Sequence, residues 1–180
     1  MPFAPVFSYC AYGIQGNIYP LFEHATLKKI DAIRLAIPDK DLALQWDVAI
    51  EMSIFEKLHP APFLGDDPAP WLIATLACLG NAVPDGITLG YHLCYGPIGN
   101  RHWKEPGHLG ICVSTANAVS MSVRRQINFF QMPVPIDRDD DAYFTPLGNL
   151  AIADDTLGLI HTADGADGAA RRIAAAGKHI

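Results

Sequence analysis

One alternation constrains this chain more than any other feature. Four short apolar runs, "LALQWDVAI" (42–50), "ITLGYHLCY" (87–95), "QINFFQMPV" (126–134) and "TLGLIHT" (156–162), are separated by stretches with helical signals. Each run lies next to turn-forming residues, which is how strands covered on both faces of a parallel sheet read. A fifth strand candidate, "APVFSYCAY" (4–12), opens the chain. Between the runs, residues 21–37 place Ile30, Ile33 and Ile37 on one helical face before Pro38. Residues 69–83 carry Pro70 in a first turn, residues 106–125 finish on Arg124 and Arg125, and "DGAARRIAAAGKHI" closes the sequence. These are helix start and stop signals. The order β-α-β-α-β-α-β-α predicts a parallel α/β fold in a single domain, 1–180.

Two architectures compete for that order. A doubly wound sheet would carry a glycine-rich phosphate loop after its first strand, and no G-x-G-x-x-G is present. A (βα)8 barrel places its chemistry at the C-terminal ends of its strands. The unusual polar residues fall there: Asp47, Glu51, His92, Cys94, Gln131 and His161. The barrel is preferred, yet a complete one takes about 250 residues. A chain of 180 residues with five strands at most is therefore expected to form a partial (βα)8 TIM barrel of about four to five βα units.

A formal charge of −6 and a pI near 5.5 argue against a nucleic-acid surface. No stretch approaches the roughly 18 consecutive apolar residues of a membrane span. The opening "MPFAPVFSYC" lacks the basic start of a signal peptide, so a cytoplasmic location is expected. The four cysteines show no CxxC spacing and are expected to be reduced there. Cys78, in "WLIATLACLG", and Cys112 read as core residues, and only Cys94 has a histidine at a useful spacing.

On a strand, His92 and Cys94 of "GYHLCYG" project the same way. Imidazole and thiolate are good zinc ligands, but a catalytic zinc needs three protein ligands. H-x-C alone equally describes a buried cysteine beside a hydrogen-bonded histidine. The wider pattern is more specific. "GYHLCYG" resembles the H-x-C-Y strand of the cobalamin-independent methionine synthase family, in the superfamily that includes uroporphyrinogen decarboxylase. "ALQWD" (43–47) is similar to that family's Q-I-D-E-P strand, and "LGLIHT" (157–162) to its I-H-S-P strand. A less studied branch of the superfamily resembles the chain more closely, through Q-W-D with a downstream glutamate, G-x-H-L-C-Y-G, and M-P-V-P before an Arg/Asp-rich loop, here "MPVPIDRDDDAYFTPL" (132–147).

The resemblance implies that the chain is a second-half segment of a methionine synthase-like barrel. It implies a zinc-dependent methyl transfer from a donor, such as a methylated folate, to a small-molecule thiol. His92 and Cys94 would bind zinc, and His161 would be the general acid. Asp47, Glu51 and Gln131 would bind substrate. Plainer roles stand beside these. Asp47 could cap the next helix, Glu51 could face solvent, and His161 could bond the turn that follows it.

Three departures from the family also show, one of them the absence at Val48 of the proline of its D-E-P run. Gln131 stands where the methionine synthases place a zinc-binding glutamate, and a neutral amide is a poor zinc ligand. The sequence ends before the strand carrying their further cysteine. The alternatives are a non-catalytic barrel fragment or subunit, paired with another copy or with a second chain that completes the barrel, and a metal-free decarboxylase-like enzyme. The acidic run "IDRDDD" (136–141) reads as a solvated loop with Arg138 paired locally, and Asn100, Arg101, His102 and Trp103 as pocket or packing residues.

Overall fold

Where the runs alternate, they form strands whose odd and even positions meet different surroundings. In the computed structural model, residues 2–96, 102–153, 156–161 and 165–180 are described. Four strands, β1 (Ala43–Val48), β2 (Thr88–Leu93), β3 (Phe129–Pro133) and β4 (Leu157–His161), form one sheet in the order β1-β2-β3-β4. All three pairings are parallel. Each strand therefore pairs with its predecessor in sequence, and the chain steps across the sheet in one direction.

The helices are α1 (Ala4–Tyr9), α2 (Tyr12–Ala36), α3 (Ile50–Phe55), α4 (Ala69–Asn81), α5 (Gly110–Ser122), α6 (Asp141–Phe144) and α7 (Gly165–Ala176). One face of the sheet, through Val48, Leu89, Tyr91, Leu93, Phe130 and Met132, joins buried residues of α2, α4, α5, α6 and α7 in a single apolar core. That core forms because alternate strand residues share a face and burial of apolar area drives the helices onto it. The other face carries Gln45, Asp47, Gly90, His92, Phe129 and Gln131, none of them part of that core.

Two expectations are corrected. Residues 4–12 are not a strand: Pro5, in the first turn, starts α1 instead. A short apolar run cannot be told from a buried helical segment by periodicity. The first long helix also begins nine residues earlier than position 21, at Tyr12, and runs through Pro20. That proline removes only one helical N–H, and packing by Tyr19 and Ile30 holds the helix across it. Its end at Ala36, just before Pro38, matches expectation.

A second apolar cluster sits beyond the end of β1. Phe3 and Val6 of the N-terminal segment pack there with Tyr19, Ile50, Ile54 and Leu72. The opposite ends of the strands are tied by Arg125. Its guanidinium donates to the carbonyls of Val83 and Ile87 at 2.9 and 2.7 Å, and to that of Pro84. One planar fork thus satisfies three acceptors in the turn before β2 from the segment before β3. Arg125→Ala is expected to cost about 2 kcal/mol, because charged hydrogen bonds are lost and carbonyls are orphaned. Arg125→Lys should restore less than half of that in urea unfolding, since an ammonium cannot span the three.

Candidate functional site

The register aligns the polar residues of the open face. Asp47 pairs with His92, His92 with Gln131, and Gln131 with Leu159. Parallel strands in register give a rung of side chains across the sheet, so three of the sequence-selected residues stand side by side. Cys94 lies two residues further along the same side, its N–H still bonded to the Val48 carbonyl. At the level of Pro133, the backbone of His161 ends β4. Its side chain, like Asn100 and Arg101, lies outside what is described.

The best-defined contact is between His92 and Asp47. His92 Nδ1 lies 3.1 Å from Asp47 Oδ1, with the two side chains 19% and 45% exposed. Because a carboxylate only accepts, Nδ1 carries the proton and donates. In the neutral ring, Nε2 then holds the lone pair. Gln45, two residues before Asp47 on the same face of β1, donates to the same Oδ1 at 3.0 Å. Sequence reasoning passed over Gln45, although period-two spacing from Asp47 would have flagged it. No role for Asp47 as a helix cap is needed here: both observed bonds come from the sheet.

Cys94 is half-buried, and its Sγ accepts the Gly96 N–H at 3.3 Å. Burial pushes its thiol pKa up, partly opposed by that N–H. Gly96 has φ of +80° and lies against the Trp103 ring, where a Cβ would meet Cε2 at 2.2 Å. Trp103 is thus fixed over the end of β2, and His102 pairs with Glu105 at 2.8 Å. Further along, Tyr95 donates to Glu56 Oε1 at 2.6 Å and Lys104 reaches Oε2. Burial alone would raise the Glu56 pKa, but these two partners hold it below its ordinary value.

No family model, curated protein or solved structure matches this chain.

Glu51 does not face solvent. It is fully buried at the start of α3, where Oε1 accepts the Phe3 N–H at 2.8 Å. Burial pushes its carboxyl up to about 7, although its own and the Phe3 backbone N–H pull the other way. Gln131 is half-buried on the rung. Three aspartates of the acidic run pair with cations: Arg138 with Asp140, Arg171 with Asp139 and Lys178 with Asp141. Cys112 is buried as expected, whereas Cys78 is exposed, because it falls on the outer side of α4. No helix among the described residues is long and apolar enough to cross a membrane.

Proposed function

We propose that this chain comprises four consecutive βα units of a (βα)8 barrel, with the open sheet face as the inner wall of a site for methyl transfer to a small-molecule thiol. Sequential parallel strands with one core between sheet and helices support the barrel. The observation that carries the function is the Asp47–His92 bond at 3.1 Å, one step below Cys94. A carboxylate that orients a histidine through Nδ1 is the usual support of a zinc-binding imidazole. This adds to the resemblance of "HLCY" to the methionine synthase family.

The donor set fits zinc in kind: imidazole Nε2 of His92 and the sulfur of Cys94 would hold it, with further positions left to ligands not on this rung. When bound, zinc lowers the pKa of a substrate thiol and keeps its sulfur anionic at neutral pH. Asp47 holds His92 in one tautomer through Oδ1, and its Oδ2, without a partner among the described residues, is available to a substrate ammonium. Glu51, buried against the Phe3 N–H, would reach the same charge only if that contact opened, and the Gln131 amide offers a hydrogen bond to a polar substrate group. His161 would supply the proton to the departing methyl donor, a folate or another methylated compound, as the new sulfur–carbon bond forms and the donor's methyl bond breaks.

Zinc content of the purified chain tests this reading. The wild type is expected to carry about one equivalent, with His92→Ala and Cys94→Ala each losing nearly all of it. Asp47→Asn should weaken zinc affinity about 10- to 100-fold, the effect of removing an orienting partner. A folded, zinc-free wild type would refute the zinc site. It would favour a metal-free relative of the decarboxylases. Among the described residues, no three His, Cys, Asp or Glu side chains group as a ligand set.

A further inference from the structure

His92 is better covered than its place on the open face would suggest. Its side chain is 19% exposed, against 45% for its partner Asp47. Part of the cover comes from the rung below. There the register aligns Gln45, Gly90 and Phe129, and the middle residue has no side chain. The Phe129 ring lies across that gap. A Cβ built on Gly90 would meet its Cζ at 2.0 Å, Cε2 at 2.2 Å and Cε1 at 2.4 Å. Successive residues on one face of a strand stand about 7 Å apart, so the tip of the ring lies one step beneath His92.

Core packing does not account for this arrangement. Glycine weakens the interior of a strand and marks a close approach. Phe129 belongs to neither apolar cluster and stays half-buried on the face that carries Gln45 and Gln131. An aromatic ring laid over a glycine of the next strand supports a sheet, but that service could be performed on any rung. Here the ring falls under a histidine that is bonded to a carboxylate.

Together Gln45 and Phe129 floor the Asp47–His92 pair. Gln45 stands below Asp47 and donates to its Oδ1 at 3.0 Å, while the Phe129 ring stands below His92. Water reaching Nδ1 from beneath would compete with Asp47 as acceptor of its proton. With that water excluded, the imidazole stays in the tautomer that keeps its lone pair on Nε2.

We infer that Phe129, seated in the space left by Gly90, is a positioning residue that keeps the Nδ1–H of His92 on Asp47. The inference deepens the zinc reading above and rests on it for its use, since Nε2 is the nitrogen that reading assigns to the metal.

Imidazole resonances of His92 in the intact chain, stripped of metal, test it. The wild type is expected to show one tautomer with a slowly exchanging Nδ1–H. Phe129→Ala should speed exchange of that proton about tenfold and mix the tautomers. It should also weaken zinc binding about tenfold, as loss of an outer partner does. Phe129→Leu, too short to cross to Gly90, should change both in the same direction if the alanine variant does not fold. Phe129→Met, whose flexible chain can reach the gap, should recover most of both effects. Arg125→Ala, which loosens the opposite ends of the strands, should move neither. An unchanged His92 signal in folded Phe129 variants that still bind zinc overturns the floor and leaves the zinc site standing. An equal change in Arg125→Ala would reduce the effect to general loosening and overturn it too. The expected change at His92 with no zinc bound to any of these proteins keeps the floor and refutes the zinc site.

Discussion

Replacing Gly80 with alanine is expected to destabilise the fold by about 3 kcal/mol, the upper range for forced overpacking. The sign is opposite to the gain of about 1 kcal/mol that Gly→Ala ordinarily brings inside a helix. Gly80 lies in α4, where an added Cβ would stand 2.1 Å from the Tyr91 hydroxyl and 3.1 Å from Val123 Cγ2. Tyr91 cannot step aside. It is fully buried, its ring stacks on Phe130 at 5.7 Å, and its hydroxyl donates to the Leu76 carbonyl at 2.9 Å. The closest atom by far is the hydroxyl, with Val123 Cγ2 a milder crowding and the next Tyr91 ring atom at 3.4 Å. Tyr91→Phe by itself should cost only about 1 kcal/mol for the lost hydrogen bond. The double variant should be more stable than Gly80→Ala alone, a coupling that a double-mutant cycle in urea measures directly. A neutral or stabilising Gly80→Ala would mean that α4 and β2 are not packed at this distance.

The second large effect is on pH dependence. The Glu51 carboxyl titrates at about 7 in the folded chain against an ordinary value of 4.5. Between those values the folded state holds a proton that the unfolded state has released. Stability is therefore full below about 4.5 and falls as pH rises through the folded pKa, becoming flat above it. The whole loss is roughly 3 kcal/mol, from a difference of two to three pKa units at complete burial. Glu51→Gln removes the ionisation and keeps an oxygen for the Phe3 N–H. It should be more stable than wild type above neutral pH and nearly equal near pH 4.5. Unfolding midpoints measured across that window check both arms. Curves that stay parallel for the two proteins would show that Glu51 is not buried as a carboxylate.

Much of this architecture is written in period-two alternation. The β2 run announces itself because Leu89, Tyr91 and Leu93 alternate with Thr88, Gly90 and His92, and that pattern places His92 and Cys94 together on the open side. What alternation does not encode is register. That Asp47 meets His92, and His92 meets Gln131, depends on how far each strand slides against the next. That offset is set by turns and caps, such as the Arg125 fork and Asn128, whose side chain receives the Leu89 N–H at 2.8 Å. The N-terminal segment was illegible for a different reason. "APVFSYCAY" has β-like content, and Pro5 in the first turn together with the buried contacts of Glu51, Gln15 and the aromatic rings selects a helix for it. The burial of Glu51 is hidden for the same reason: its sequence position allows either a substrate-facing or a solvent-facing carboxyl, and the Phe3 N–H that meets it comes from 48 residues away.

The strand order bears on how the molecule is made. Because each strand docks on the one before it, every strand pairing needs only the strand already made, while the caps on β2 from Arg125 and Asn128 arrive with the segment before β3. A chain emerging from the ribosome can pair β2 with β1 while β3 is still unsynthesised, and each new unit then finds its template already in place. Loop closure at each step spans one βα unit rather than the whole sheet, which keeps the entropic cost of every addition small and similar. Synthesis from the N-terminus can therefore close the strand pairings in the order β1-β2, β2-β3, β3-β4.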